Sequence, residues 1–135
     1  MRVLLDTNVI FSAFAARGLA QAVFELCLER HTIIISEGIL SELAVHLEKK
    51  LRMPSENVQM ITDYLRGSCF LGEGTSVGES ACRDKKDIHI LELVKKMRPD
   101  FIITGDMDLL VLKRYHKTSI VTPRGFWEKE KRRKH

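Results

Sequence analysis

The sequence predicts an α/β fold built on a mostly parallel sheet. Short apolar segments, several of them rich in β-branched residues, recur along the 135 residues. Segments with helical periodicity lie between them, and two of the apolar segments are followed closely by an aspartate. Apolar segments without internal Gly or Pro are typical of strands buried on both faces, as in parallel sheets. Their alternation with helices predicts right-handed crossovers between the strands.

The first half of the chain alternates strands and helices. Residues 3–5 predict a buried strand, and residues 33–35, three successive isoleucines, predict a second. Helices are predicted over residues 7–14, 19–30, 37–50 and 56–66. Ser36 is placed as the N-cap of the third of these helices. Residues 67–80 are the least regular part, with a short strand near residues 69–71 and a loop.

The second half repeats the pattern with shorter elements. Apolar residues at helical spacing predict a helix that begins at Asp87 and ends before Pro99. Residues 101–103 predict a strand, residues 107–115 a helix, and residues 119–121 a last strand. Thr122 and Pro123 turn the chain out of that strand.

Composition indicates one soluble domain over residues 1–127 and a basic C-terminal tail over residues 128–135. The tail holds five Lys or Arg and two Glu, which is +3 of the chain's +4 net charge. It either contacts phosphates or is a solvated chain end. The three cysteines form no CxxC pair, which favours a reducing compartment, and no segment resembles a signal peptide or a membrane span. We expect a cytoplasmic protein with no membrane partner.

Four acidic residues are expected to converge. Asp6 and Asp106 each follow a predicted strand, so both belong to the same edge of a parallel sheet, where functional crevices lie. Asp87 heads the apolar stripe of its helix, and Glu42 lies at the border of the buried face of its own helix. Each residue also has an ordinary explanation, because Asp6, Asp87 and Asp106 could each cap a helix. Capping does not explain Glu42 or a shared crevice.

Carboxylates gathered in a partly buried pocket repel one another and lose hydration. A divalent cation relieves both effects, and oxygen ligands without Cys or His select Mg²⁺ or Mn²⁺. Such a cluster is suited to phosphodiester hydrolysis, because the metal lowers the pKa of a bound water and orients it.

The residues around these acids resemble the PIN domain family, metal-dependent ribonucleases that include VapC-type toxins of toxin–antitoxin pairs. The matching segments are LLDTNVIFSA, SEGILSEL, CRDKKDIHILEL and IITGDMDLL, and IVTPRGFWE is similar to the end of a branch of toxin components. The resemblance implies a three-layer α/β/α architecture with helices flanking the sheet. It also implies an RNA substrate, an antitoxin protein as partner, and a homodimer or higher homo-oligomer.

The resemblance assigns roles residue by residue. The metal-binding and catalytic acids would be Asp6, Glu42, Asp87 and Asp106. Asp108 would be a supporting acid, and Asn8 and Thr104 would hold carboxylates or water by hydrogen bonds.

One departure concerns Lys85 and Lys86, which stand where this branch usually has Pro and acidic residues. They either offset negative charge and meet the RNA backbone, or are solvated lysines at a helix start. They also put a role for Asp84 in doubt. His31, His46, His89 and His116 share no spacing and no evident carboxylate partner, so we expect them at the surface or at helix edges.

Two other functions remain open. A PIN-like domain could bind RNA or a protein partner with weak or no catalysis. A different acid-based phosphate enzyme fits less well. Toprim domains share the DxD of Asp106 and Asp108 but begin with Glu where this chain has Asp6, and haloacid-dehalogenase-type phosphatases need an Asp at position 8, which is Asn.

Overall fold

The computed structural model describes residues 1–72 and 85–133, and the side chains of residues 85–87 and 133 are not described. Most of the predicted loop in residues 67–80 therefore lies outside the described residues. In chain order the elements are β1 (Arg2–Leu5), α1 (Thr7–Ala15), α2 (Leu19–Arg30), β2 (Thr32–Ile35), α3 (Glu37–Leu51), α4 (Ser55–Ser68), β3 (Phe70–Leu71), α5 (Lys85–Met97), β4 (Phe101–Ile103), α6 (Met107–Leu110), β5 (Arg114–Tyr115), β6 (Thr118–Val121) and α7 (Pro123–Arg133).

The described strands form one six-stranded sheet in the order β3-β2-β1-β4-β6-β5. Every neighbouring pair is parallel except β5 with β6. The chain builds outward from β1 to β3 on one side, then crosses back to place β4 on the other side of β1. The β1–β4 boundary is therefore the topological switch point, where ligands bind beyond the carboxyl ends of the strands. The predicted α/β/α class is confirmed.

The core is densest around β1 and its two neighbours. Val3, Leu4 and Leu5 are fully buried, as are Ile34 and Ile35 on β2. Burying each such side chain contributes about 1.5–3 kcal/mol relative to leaving it exposed. The strands β1 and β2 thus give buried support to the residues at their carboxyl ends.

The helix α3 follows directly from its sequence. The Ser36 hydroxyl accepts a hydrogen bond from the Ile39 amide at 3.1 Å, which confirms the predicted N-cap. Leu40, Leu43 and Leu47 are buried on one stripe. The helix ends at Arg52, whose φ of 52° is left-handed.

The helices α1 and α2 pack against each other, and the Phe14 and Phe24 rings lie 5.4 Å apart. Val9 and Ile10 of α1 and Val23 of α2 are buried. Among the described residues no single helix is long and apolar enough to cross a membrane, although α1 and α2, bent by 107°, would pass as a pair by length and composition only.

The helix predicted over residues 107–115 is wrong beyond α6. A longer helix would bury little, because Leu109 is buried whereas Val111 is 67% exposed. Lys113 takes a left-handed φ of 58°, and the chain then forms β5, which pairs antiparallel with β6. Tyr115 packs against the core from β5. Residues 114 and 115 therefore pair with the open edge of β6 and do not continue the helix.

The last helix was not predicted. The Thr122 hydroxyl caps α7 by accepting from the Gly125 amide at 3.0 Å, and Pro123 occupies the first helical position, which proline favours. Phe126 is buried against Phe101, with ring centroids 5.4 Å apart. Residues 128–133, assigned from the sequence to a basic tail, form the second half of α7.

A buried polar contact between His31 and Glu130 attaches α7 to the body of the domain. The His31 imidazole, at the end of α2, contacts the Glu130 carboxylate, and the two side chains are only 7% and 8% exposed. The expected helix-edge position of His31 is confirmed, but its carboxylate partner was not predicted. The Phe126 ring packs edge-on against His31. Burial, and to a smaller extent the Glu130 charge, raise the pKa of the nearby Cys27 thiol to about 12. That thiol therefore stays protonated at neutral pH.

Replacing Glu130 should destabilise the domain strongly. Glu130→Gln removes the buried carboxylate that His31 contacts, and losing a hydrogen bond to a charged group typically costs about 1.5–3 kcal/mol. Urea unfolding at pH 7 measures the free energy of unfolding. Glu128→Gln, an exposed acid on the same helix, is the matched control and should change it by less than about 0.5 kcal/mol. Equal midpoints for the two variants would show that the pair does not anchor α7.

Candidate functional site

The ends of β1 and β4 bring two of the predicted acids together. The Asp6 amide donates to the Ile103 carbonyl at 3.0 Å, which aligns the two chain segments as they leave the sheet. The Thr104 hydroxyl donates to Asp6 Oδ2 at 2.8 Å and accepts from the Asp106 amide at 3.0 Å. Thr104 therefore links the Asp6 carboxylate to the Asp106 backbone. A hydrogen bond to a carboxylate is the contact that the resemblance implied for Thr104.

A small pocket opens beside Asp6 between α1, α3 and α5. Its volume is about 180 Å³, and its lining comprises Asp6, Thr7, Gly38, Ile39, Glu42, His89 and Ile90. Asp6 and Glu42 supply its carboxylates, so the structure brings together two acids that lie 36 residues apart in the sequence. The apolar members come from the helix faces that cover the sheet.

The Asp6 carboxylate carries an unfavourable charge. The residue is 9% exposed, and this burial is the main reason that its pKa is raised above the usual 3.8. Hydrogen bonds from Thr104 and from the Thr7 backbone lower the pKa, whereas the charges of Glu42 and Asp106 raise it again. The three acids thus interact electrostatically, and the hydrogen bonds offset only part of the cost.

Glu42 has a neighbour that the sequence pattern missed. Its Oε1 lies 3.8 Å from His46 Nε2, one helical turn further along α3. That nitrogen is buried and has no hydrogen-bond partner among the described residues. The His46 ring packs edge-on against Phe11, with centroids 6.1 Å apart. His46 is therefore held beside Glu42 and does not lie free at the surface.

Asp106 is a helix cap as well as a candidate ligand. Its Oδ1 accepts a hydrogen bond from the Asp108 amide at 2.9 Å at the start of α6. Helix capping, the alternative explanation for an aspartate at this position, therefore also holds. Asp106 does not line the pocket beside Asp6. The Asp108 and Asn8 side chains are exposed, and neither takes part in the hydrogen bonds that join Thr104 to Asp6 and Asp106.

Three predicted residues lie on the first turn of α5. The backbone of Lys85, Lys86 and Asp87 is helical, but their side chains lie outside the described residues. Among the described side chains no group of three His, Cys, Asp or Glu could hold a metal ion. Asp6 and Glu42 nevertheless offer carboxylate oxygens and a crowded negative charge, which fits a hard divalent cation.

Comparison with known proteins decides the family. The PIN domain family profile matches residues 2–108, most of the chain. This protein belongs to the PIN domain family. A comparison with curated protein sequences found no match.

Two solved structures share the fold of this PIN domain. VapBC2 from Rickettsia felis, crystallised with a DNA fragment from its promoter, matches with a TM-score of 0.63 and 16% identity over 89% of this chain and 97% of that one. The Mycobacterium tuberculosis toxin VapC20, which cleaves the sarcin–ricin loop, matches with a TM-score of 0.62 and 10% identity over 87% and 98%. At these identities the likeness concerns the fold.

His89 is the pocket residue that the sequence analysis placed elsewhere. Its imidazole lies over Gly38, the second residue of α3, so closely that a Cβ on Gly38 would overlap the ring. Gly38 thus lets α5 approach α3 beside Asp6. A glycine inside a predicted helix was the available signal, because it usually has a packing or functional reason.

Adding a methyl group to Gly38 should displace His89. Gly67→Ala, in a helix with no atom within 4 Å of the added carbon, should stabilise the PIN domain by about 0.5–1 kcal/mol. Gly38→Ala should lose that gain, because the imidazole must move. The double variant Gly38→Ala/His89→Ala should recover it. Thermal unfolding of the four proteins measures the effect, and equal gains for both single alanine variants would contradict the contact.

Proposed function

We propose that this PIN domain is an endoribonuclease that hydrolyses RNA phosphodiester bonds with Mg²⁺ or Mn²⁺, and that it is the toxin of a toxin–antitoxin pair. The observation that carries the proposal is the buried Asp6 carboxylate, whose charge is opposed by those of Glu42 and Asp106 at the switch point of the sheet. A protein that only needed stability would place an uncharged residue there. The fold shared with VapC toxins supports the same proposal.

Each acid would bind the cation from a different element of the fold. Asp6 and Glu42 would hold the cation at the pocket, with Asp106 beside Asp6 and with Asp87, on the first turn of α5, as a further ligand. The bound ion would activate a water and draw a phosphate into a negative pocket. Thr104 fixes the Asp6 carboxylate in one orientation. The apolar side chains of Ile39 and Ile90 exclude bulk water from part of the pocket wall.

The partners of the PIN domain are also proposals. A substrate RNA would approach near the start of α5, where Lys85 and Lys86 could meet its backbone. An antitoxin partner is supported by the VapBC2 structure, which holds DNA from the promoter of that pair. A homodimer or higher homo-oligomer stays a prediction, supported by the exposed apolar Met107 and Val111 on and after α6, 68% and 67% exposed. The cytoplasmic location also stays a prediction.

A binding module without catalysis is the alternative. Two observations favour it. The described side chains contain no group of three metal ligands, and Asp106 already caps α6. Under this alternative, Asp6 and Glu42 would bind no cation, and RNA or a protein partner would bind without being cleaved.

Cleavage of RNA should require both the metal and the acids. Purified protein with Mg²⁺ or Mn²⁺ should cut a labelled RNA, and chelation should stop it. Asp6→Asn or Asp106→Asn should lower the rate by at least about 100-fold, because even residues that only support a metal ligand often contribute 10- to 100-fold. Gel analysis of the products measures the rate.

The control is Asp63→Asn, an exposed acid on α4 that pairs with Arg66 away from the pocket. Its cleavage rate should match that of the unsubstituted protein. Circular dichroism confirms that each variant is folded. Undiminished cleavage by both Asp6→Asn and Asp106→Asn would refute the site, and absence of metal binding at millimolar concentrations would favour the binding module.

A further inference from the structure

A second cleft lies at the opposite edge of the sheet from the acidic pocket. It has a volume of about 580 Å³, and residues from the end of α5 and from the start of β6 line it. This cleft is here called the basic cleft, and its charged and polar lining residues are Lys95, Arg98, Asp100, His116, Lys117 and Thr118. The proposed cleavage chemistry uses none of them.

The backbone around the basic cleft is tied down. Arg98 ends α5 in a left-handed conformation, with its amide bonded to the Val94 carbonyl at 2.8 Å. The Thr118 hydroxyl donates to the Pro99 carbonyl at 2.6 Å and joins the two walls. His116 and Lys117 form a two-residue hairpin loop between β5 and β6. The cationic side chains therefore project from anchored positions.

The basic cleft carries an excess of positive charge. Lys95, Arg98 and Lys117 face one acid, Asp100, and among the described residues none of the three cations lies within 4 Å of a carboxylate oxygen. Asp100 Oδ2 already accepts a hydrogen bond from the Arg2 amide at 2.9 Å. The cations are therefore available to an anionic ligand.

We propose that the basic cleft binds the phosphates of a single RNA strand outside the acidic pocket. The inference rests on the proposed function, because it gives the same RNA a second point of attachment. The acidic pocket repels phosphates when no cation is bound, whereas the basic cleft attracts them with or without a divalent cation. Asp100 and Thr104 flank β4 and lie roughly 13 Å apart along the strand direction, so the two sites lie at opposite ends of one short strand.

The size of the cleft agrees with such a ligand. Its volume of about 580 Å³ exceeds what a lone phosphate needs and suits a nucleotide-sized piece of RNA. If the three cations each neutralise one phosphate of a single RNA strand, the affinity should fall as the salt concentration rises. Each contact should contribute about 0.7 to the steepness of log affinity plotted against log salt concentration.

The test compares two arginines in the same backbone setting. Arg98 and Arg52 each end a helix in the left-handed region, with φ of 48° and 52°, but only Arg98 lines the basic cleft. Arg98→Gly and Arg52→Gly each remove one positive charge and relieve the left-handed strain, so both should fold. Binding of a labelled single-stranded RNA is measured in EDTA, where no metal-dependent cleavage occurs.

The expected result is a several-fold weaker affinity and a salt slope about 0.7 shallower for Arg98→Gly, with Arg52→Gly unchanged. Lys117→Ala should behave like Arg98→Gly. Equal effects of the two glycine variants, or no effect of either, would overturn the proposal. It would also be overturned if Arg98→Gly weakened binding of inorganic phosphate alone and left RNA binding intact.

The binding assay in EDTA and the metal-dependent cleavage assay, applied to the same variants, together separate this inference from the proposed function. If RNA binding depends on Arg98 but no metal supports cleavage, the nuclease proposal fails and the basic cleft stands. If the protein cleaves RNA and Arg98→Gly binds and cleaves it normally, the nuclease proposal stands and the basic cleft fails.

Discussion

The pairing of β1 with β4 is the constraint on which this structure depends. Leu5 lies opposite Ile103 in that register, so the chain leaves both strands at the same height, and Asp6 must enter the space beside Thr104. The hydrophobic energy of the buried residues of β1 and β4 enforces this position, although the ionised form of Asp6 is disfavoured there. The acidic pocket is thus a consequence of sheet packing, and its charge is stabilised only in part by the Thr104 hydroxyl.

The sheet also separates charge along its strands. Carboxylates gather beyond the carboxyl ends, around Asp6 and Glu42, whereas Lys95, Arg98 and Lys117, which pair with no described carboxylate, gather near the amino ends of β4 and β6. The buried pair of His31 and Glu130 belongs to neither group and serves to dock α7. A nucleic acid polymer is the simplest ligand that matches both ends, because only its attachment at the negative end requires a cation.

Local patterns predicted most of the fold and part of the site. Asp6 and Asp106 were predictable because each follows a strand, and Glu42 because helical periodicity placed it at the edge of a buried face. The signals that failed were long-range ones. Glu130 lies 99 residues from His31, and His89 meets a glycine on another helix, so no local spacing records either contact. The helix beyond α6 failed because an open strand edge competed with a weak helical pattern.

The most direct test of this account is the titration of the Asp6 carboxyl group, followed by ¹³C NMR with and without Mg²⁺. Burial and neighbouring acids should hold its pKa above 3.8 in the metal-free protein, and Mg²⁺ should lower it. By linkage, the charge of Asp6 should reduce stability as the pH rises past 3.8 and through the folded-state pKa. A pKa at or below 3.8 that Mg²⁺ does not change would contradict the claim that folding forces an unfavourable negative charge into this pocket.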